Sequence, residues 1–437
     1  MNGRLRLWNT LRASFWFTPA LIVIASMALA VALVEVDAWQ SVELARWSPR
    51  LFGAGADGSR AMLSAIATSM ITVAGVVFSI TIVALSLTST QYSPRVLRNF
   101  MRDAPTQVVL GVFVGIFAYC LVVLRTIRGG DEGAFIPSLS VLAGMGYAFA
   151  GIAVLIYFIH HVARSIQASS ILARIADDTA AAIDQLFPQE LAASPAEAAE
   201  AAVLPGAWQE VRAGRSGYLV SVDGAALLAL SRDTGRVLRV ERPVGVFVAE
   251  DAVVAAAGGG EPLDPRDADR LLACLVLGSH RTVEQDAAFG LQQLVDVALR
   301  ALSPGINDPT TACMCVDRLG ALLARLARRR MPEPLRFEDG TLRVIAPAPD
   351  FESLVAGSLD PVVHHGKGDL QLLDSVLNAL ATIMAAAGAP EQMQALRRRL
   401  ATVGTEAARV RPRARTATLR RRIAELQRRS RLHGAGQ

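Results

Sequence analysis

The stretch SPGINDP, residues 303–309, concentrates the residues of this chain that are best suited to polar chemistry. Apolar helical sequence flanks it on both sides. Its candidate ligand contacts are Ser303, Gly305, Asn307 and Asp308, with free backbone amides near the glycine. These groups could hold a polar ligand or a neighbouring subunit. Because Asp308 would repel an anion, a cation or a hydroxyl-bearing ligand fits such a loop better.

The same stretch also suffices as a plain corner between two helices. A residue before proline avoids the helical region, so Ser303 ends the first helix. Gly305 allows a tight bend. Asp308 suits the cap of the next helix, and Pro309 suits its first position. Both interpretations stay open, and Asn307→Ala is expected to be nearly silent if the loop is only a corner.

Three further polar candidates, Arg281, Glu284 and Asp286, precede the loop by one predicted helix. In the fold they are able to converge with Asn307 and Asp308. The chain carries no nucleophile–base set, no metal-ligand spacing and no phosphate-binding fingerprint. We therefore expect no enzymatic activity, no cofactor and no bound metal.

Four apolar segments indicate a membrane domain, and the mean hydropathy of the chain is +0.36. Crossing a bilayer core of ~30 Å needs about 20 helical residues. The four segments are Phe15–Val34, Met62–Thr90, Thr106–Leu124 and Ser138–His160. The first also fits a secretory signal, although its apolar run is longer than a usual signal core. We predict four transmembrane helices, followed by a mainly helical α+β part with a small strand-containing module.

Loop charges orient the spans, because cytosolic loops carry an excess of basic residues. Arginines precede the first span and follow the second, whereas the other loops are balanced. Both termini are therefore expected in the cytosol. Residues 93–103 predict an amphipathic interfacial helix whose Arg95, Arg98 and Arg102 meet anionic lipid headgroups. Such a helix either anchors the topology or surrounds a pore mouth.

Small and polar residues of the second span follow one helical face. They are Ser64, Thr68, Thr72, Gly75, Ser79 and Ser86. Such a face favours close helix packing or the lining of a pore, which needs several copies of the chain. No acidic or basic residue lies in the middle of a span, which disfavours a charge-coupled transporter.

The remaining sequence divides by period and composition. Residues 1–14 form a basic N-terminus, and residues 15–163 form the transmembrane domain. Residues 164–207 form a stalk helix that continues the fourth span, followed by a linker, and residues 208–260 form a small α+β module. Residues 261–400 form a mainly helical domain with a hairpin near 335–346, and residues 401–437 form an arginine-rich tail. Thr282 and Gln285 form a capping box that predicts a helix over Val283–Leu302. The segment Arg397–Arg431 has thirteen arginines and two glutamates, a net charge of +11. Such tails are often disordered, and here anionic lipid is a more natural partner than nucleic acid.

Several stretches resemble one family of bacterial membrane proteins. They are QYSPRVLRNFMRDAPTQVVLGVFVGIFAYCLVVLRT, FIHHVARSIQ, RTVEQDAAFGLQQLVDVALRALSPGINDPTTA and DRLG. In this order they are similar to the family catalogued as domain of unknown function 2254, over roughly residues 10–400. The resemblance implies a membrane bundle with a cytosolic C-terminal part, and no established activity. Thr310 departs from the pattern, since similar sequences tend to carry an aromatic residue there.

Three functions are consistent with these features. A homo-oligomeric channel or pore in the bacterial inner membrane, gated by a cytosolic domain, fits the polar stripe and the basic collar. A membrane-anchored sensor or scaffold, whose cytosolic modules bind a ligand or protein, fits the same organisation. A membrane-associated enzyme is the least supported.

Overall fold

The computed structural model describes residues 16–40, 55–91, 104–129, 135–165, 167–187, 204–259, 261–410 and 417–433. The chain divides into two compact units, Met1–Ser170 and Ile171–Gln437. The predicted interfacial helix, with Arg95, Arg98 and Arg102, lies outside the described residues, as does the basic N-terminus.

The described part of the N-terminal unit contains four long apolar helices, each able by length and composition to cross a membrane. They are α1 (Phe17–Gln40), α2 (Ala56–Gln91), α3 (Ala104–Thr126) and α4 (Ser138–Ser165). All four predicted spans are therefore present as helices, and each extends beyond its apolar run.

Glycines bring these helices close together. At Gly111 of α3, an added Cβ would lie 2.9 Å from the backbone of Pro19 and from the side chain of Ile22, both in α1. At Gly144 of α4, an added Cβ would lie 3.1 Å from Leu63 of α2. Helices in lipid gain no hydrophobic drive from one another, so close van der Waals packing through small residues holds them together.

A buried carboxylate joins the end of α1 to the start of α4. Asp37 accepts hydrogen bonds from the backbone N–H groups of Leu139 and Ser140, at 3.0 and 2.8 Å, and from the Ser140 hydroxyl at 2.6 Å. The first N–H groups of a helix lack intrahelical partners and favour negative charge. The predicted first span ends at Val34, whereas the helix continues to Gln40 and carries Asp37 into this contact.

We predict that Asp37→Ala destabilises the membrane unit by about 1–3 kcal/mol, because it leaves buried N–H groups without an acceptor. Asp37→Asn should lose less, since its carbonyl oxygen still accepts one bond. Thermal unfolding of the detergent-solubilised chain measures both effects. Glu35→Ala is the control, because Glu35 is an exposed acid on the same helix. Equal melting temperatures for the Asp37 and Glu35 alanine variants would contradict the capping role.

Among the described residues of the C-terminal unit, eight short strands form two sheets. They are β1 (Trp208–Arg212), β2 (Gly217–Val222), β3 (Leu238–Val240), β4 (Phe247–Val248), β5 (Val253–Gly258), β6 (Leu275–Gly278), β7 (Leu335–Glu338) and β8 (Thr341–Ile345). One sheet has the order β1-β5-β3-β8-β7 and the other the order β4-β2-β6.

The predicted hairpin is present, but it joins the sheet of the preceding α+β module rather than standing in the later helical domain. Strands β7 and β8 pair antiparallel, and Asp339 and Gly340 both take positive φ in the turn between them. Strand β8 pairs in parallel with β3, with Leu238 opposite Val344. Both of these side chains are buried. The predicted boundary at residue 260 therefore does not separate two folding units, because the apolar edge of β3 is covered by a hairpin that comes much later in the chain.

The described residues of the C-terminal unit also form helices. They are α5 (Ala168–Leu186), α6 (Gly224–Thr234), α7 (Pro265–Ala273), α8 (Ala287–Ala301), α9 (Pro309–Ala327), α10 (Phe351–His365), α11 (Leu370–Ala386), α12 (Pro390–Arg409) and α13 (Ala417–His433). Helices α9 and α11 approach closely where Gly320 lies against Ala379, and an added Cβ on the glycine would lie 2.8 Å from that side chain.

The expected continuous stalk is instead two helices, α4 and α5. The apolar face of α5, which includes Ile171, Ile175 and Ile183, is buried. Thr179 packs against Gly290 of α8, and Asp184 forms ion pairs with arginines of the segment that ends α9. An exposed apolar stripe of this length would be unstable in water, so α5 is part of the C-terminal core.

Two further expectations differ from the structure. Helix α8 begins at Ala287 with Asp286 as its cap, so Thr282 and Gln285 do not form the predicted capping box. The arginine-rich tail contains an ordered helix, α13, which buries Leu419 and Ile423. Its apolar residues recur at helical spacing, and this amphipathic pattern outweighs the repulsion among the arginines.

Candidate functional site

The polar face of α2 points away from its own bundle. From Leu63 to Ala84, the buried residues of α2 recur at alternating steps of four and three and face α3 and α4. They are Leu63, Ala67, Met70, Ala74, Val77, Thr81 and Ala84. The predicted stripe of Ser64, Thr68, Thr72, Gly75, Ser79 and Ser86 is exposed at every position. At ~100° per residue, the stripe lies roughly 150° around the helix from the buried residues.

Packing of this stripe within the same chain is therefore excluded for the described residues. An added Cβ at Gly75 would meet nothing within 4 Å, in contrast to Gly111 and Gly144. The Thr72 hydroxyl donates 2.8 Å to the carbonyl oxygen of Thr68 one turn earlier. This face of α2 is therefore left uncovered by the described residues of the N-terminal unit.

The second candidate cluster lies where α8 begins. Arg281 donates to one oxygen of Asp286 through Nε and Nη2, at 2.9 and 2.7 Å. The other oxygen accepts from the backbone N–H of Phe289 at 3.0 Å. The guanidinium also lies 4.8 Å from the centre of the Phe289 ring. Burial raises the pKa of Asp286, and the neighbouring Arg281 opposes this shift by lowering it.

This ion pair connects the helical region to the three-stranded sheet. Gly245 precedes β4 at φ +92, and an added Cβ there would collide with the carboxylate of Asp286. The side-chain carbonyl of Gln285 accepts from the backbone N–H of Val222, in β2, at 2.9 Å. The cluster therefore holds the start of α8 against the sheet, and its charged groups, Arg281 and Asp286, are already paired with each other.

Several backbone N–H groups of the loop 303–309 already have partners within the chain. The N–H groups of Ile306 and Asn307 both donate to the carbonyl of Ser303, at 3.0 and 2.9 Å. The N–H of Asp308 donates to Ala301 at 2.8 Å. The Ile306 amide, which the sequence left free for a ligand, is therefore occupied. Asp308 caps α9 by accepting from Thr311, and Pro309 is its first residue, as predicted.

The residue that makes the bend is Asn307. It takes φ +50, a left-handed conformation that asparagine tolerates better than most residues. Gly305 does not have positive φ and meets no neighbour within 4 Å, so a glycine is not required there. The hydrogen bond from the Thr311 hydroxyl, joined by the backbone N–H of the same residue, lowers the pKa of Asp308.

The two polar groups do not converge. Arg281 and Asp286 lie before α8, while Asn307 and Asp308 follow it. Helix α8 has 15 residues and a length of about 22 Å at ~1.5 Å per residue. Glu284 is exposed. The structure therefore separates the residues that the sequence could have joined in one site, because a straight helix holds its two ends apart.

Sequence reasoning missed a polar network inside the membrane unit. The Tyr119 hydroxyl donates 2.7 Å to the carbonyl of Ser140, whose own hydroxyl reaches Asp37. The hydroxyls of Ser26 and Tyr147 are 2.7 Å apart. These residues lie singly in apolar sequence. The presence of a serine or tyrosine within a predicted span is the only sequence signal for such a network.

Comparison with known proteins identifies the family. A family model described as "Predicted membrane protein (DUF2254)" matches residues 12–382. The chain belongs to the DUF2254 family. Among its relatives are Uncharacterized protein Rv1290c of Mycobacterium tuberculosis and Uncharacterized protein Mb1321c of Mycobacterium bovis. Each is 33% identical over 419 residues, which cover 92% of this chain and 78% of the relative. No solved structure matches the chain.

The DUF2254 match includes all four spans, both sheets and the loop 303–309. It ends inside α11, so α12 and α13 lie beyond it. The match confirms the prediction that this chain is a membrane protein of this family.

We predict that Asn307→Gly leaves stability within about 0.5 kcal/mol, whereas Asn307→Ala costs about 1 kcal/mol because alanine resists the left-handed conformation. The alanine variant is thus not a silent test of a plain corner, and the glycine variant replaces it. Melting temperatures of both variants measure the difference. A loss of assembly or transport in Asn307→Gly at unchanged stability would show that the side chain contacts a partner.

We predict that Asp308→Ala lowers stability near neutral pH by about 1 kcal/mol through loss of the helix cap. The folded pKa of Asp308 is lowered, so its stabilisation is present above the unfolded pKa of ~3.9 and is lost as pH falls through the folded pKa. The gap in melting temperature between wild type and variant should therefore narrow in acid. Asp269→Ala, at an exposed acid, is the control. A gap that does not change with pH would contradict the assignment.

Proposed function

We propose that this chain forms a homo-oligomeric pore in the bacterial inner membrane, with the polar stripe of α2 facing the axis. The observation that supports it is the outward exposure of Ser64, Thr68, Thr72, Gly75 and Ser79, opposite a buried apolar face. Channels commonly line their pathways with polar groups while apolar faces meet lipid or neighbouring helices.

The physical argument concerns what this face meets in a bilayer. Lipid tails offer no hydrogen-bond partner, so helices turn hydroxyls towards protein or water. Thr72 can satisfy its own donor through Thr68, but internal satisfaction does not explain a glycine with open space at the centre of the same face. Copies of the chain around an axis would give the stripe a protein and water environment.

The proposal includes an orientation and partners. Both termini face the cytosol, so the C-terminal unit regulates the pore from that side. The partners are further copies of the chain and the bilayer, whose anionic headgroups meet Arg95, Arg98 and Arg102. No enzymatic step, cofactor or nucleic acid is part of this function.

A second candidate is a membrane-anchored sensor, and one observation favours it. A cleft of about 430 Å³ in the C-terminal unit has largely apolar walls, including Leu272 and Leu277, with Arg215 and Asp269 beside them. Small-molecule sites are commonly concave, apolar and of this size. Transport that persists after this cleft is filled, for example by Ala273→Trp, would separate a ligand-sensing role from the pore itself.

We predict that Ser79→Leu, on the stripe, lowers solute flux through reconstituted liposomes by about tenfold or dissociates the oligomer. Ser69→Leu is the matched control, because Ser69 is an exposed serine of the same helix that lies off the stripe. Flux of potassium and of small neutral solutes is measured alongside the mass of the solubilised particle.

The outcomes separate the alternatives. Flux that falls only in Ser79→Leu, at unchanged particle mass, supports a pore lining. A smaller particle in Ser79→Leu supports an interface between copies. A monomeric wild-type particle with no flux in any ionic condition would contradict the proposal. The membrane-anchored sensor would then be the remaining candidate function.

A further inference from the structure

Helix α13 has two chemically different faces. Leu419, Ile423 and Leu426 are buried, and the helix packs against α11 and α12. Ser430 is also buried on this side. The three apolar side chains Leu419, Ile423 and Leu426 are therefore packed inside the C-terminal unit.

Polar contacts fix the helix in this orientation. Arg422 donates from Nη1 to Asp374 of α11 at 2.6 Å and also reaches the Asn378 side chain. Arg397 of α12 donates to the backbone carbonyl of Ser430. These bonds hold α13 along its length, so its outer face is a defined surface.

The outer face presents arginine. Arg421 and Arg428 are exposed and lie seven residues apart on one side, with the exposed Ala424 between them. Arg429 pairs with Glu425 at 2.7 Å. Within the described parts of the chain, no ion pair involves Arg421 or Arg428, so their charge is not neutralised by the fold.

We propose that this arginine face docks on an anionic lipid surface. Basic residues near a membrane are attracted to acidic headgroups, and four spans tether this chain to a bilayer at high effective concentration. Nucleic acid is the less favoured partner, because α13 has no phenylalanine, tyrosine or tryptophan on which bases could stack. The proposal does not depend on the pore.

The mode of docking follows from the buried face. A typical interfacial helix inserts its apolar side among the acyl chains. In α13 that side is packed inside the protein, so only charge is left for the membrane. Docking is then purely electrostatic, requires acidic lipid and is lost at high salt.

The test uses the full chain in phosphatidylcholine nanodiscs, mixed with vesicles of phosphatidylcholine with or without phosphatidylglycerol. Vesicle binding is measured by flotation. Each basic residue near an anionic surface contributes about fivefold in affinity, so Arg421→Gln with Arg428→Gln should weaken binding by roughly 25-fold. Glu425→Gln should strengthen it, because it removes the acid of this face.

The matched control is Arg266→Gln with Arg318→Gln, which removes the same charge from exposed arginines of α7 and α9. It should leave binding within about twofold. All changed side chains are exposed, and equal melting temperatures verify the fold. Equal binding of the two double variants, or equal binding to both kinds of vesicle, would overturn the proposal. So would a fluorescent RNA that the chain captures through α13 while anionic vesicles fail to bind.

Discussion

Close backbone approach between apolar helices is the constraint on which the membrane unit depends. Lipid removes the hydrophobic drive between helices, so contact at Gly111 and Gly144 must supply the attraction through packing. Leu63 fills the space beside Gly144, and α2 therefore turns its apolar face inward. The polar stripe is left outside as a consequence. The proposed pore depends on these two faces of α2. The apolar face packs against the bundle, and the bundle does not cover the polar face.

Helix termini organise both units through the same chemistry. Asp37 satisfies the start of α4 from a different helix, Asp286 caps α8, and Asp308 caps α9. Each carboxylate accepts from N–H groups that a helix cannot satisfy itself. Asp286 has a second task, because its pair with Arg281 lies under Gly245 and ties the helices to a sheet. A polar residue near a helix start in this chain is therefore first a structural element.

Local chemistry was predictable where one segment decides it. The four spans follow from apolar length, and the turn at Asp339–Gly340 follows from a pair of residues that accept positive φ. Asp223 caps α6 by an equally local hydrogen bond, and Gly235 ends the helix in the left-handed conformation. Prediction was wrong where distant segments compete. Gln285 was expected to cap a helix, but its side chain binds Val222, more than sixty residues earlier.

The sequence by itself determined the membrane class, the number of spans and the two stop-and-start signals around the loop 303–309, because each depends on neighbours along the chain. The tertiary structure decided which way the stripe of α2 faces, since helical spacing defines a face without saying what covers it. It also decided that α8 keeps Asp286 and Asn307 apart, that β8 pairs with β3, and that α13 is folded with Arg421 and Arg428 exposed. These depend on contacts between segments far apart in sequence, which periodicity does not encode.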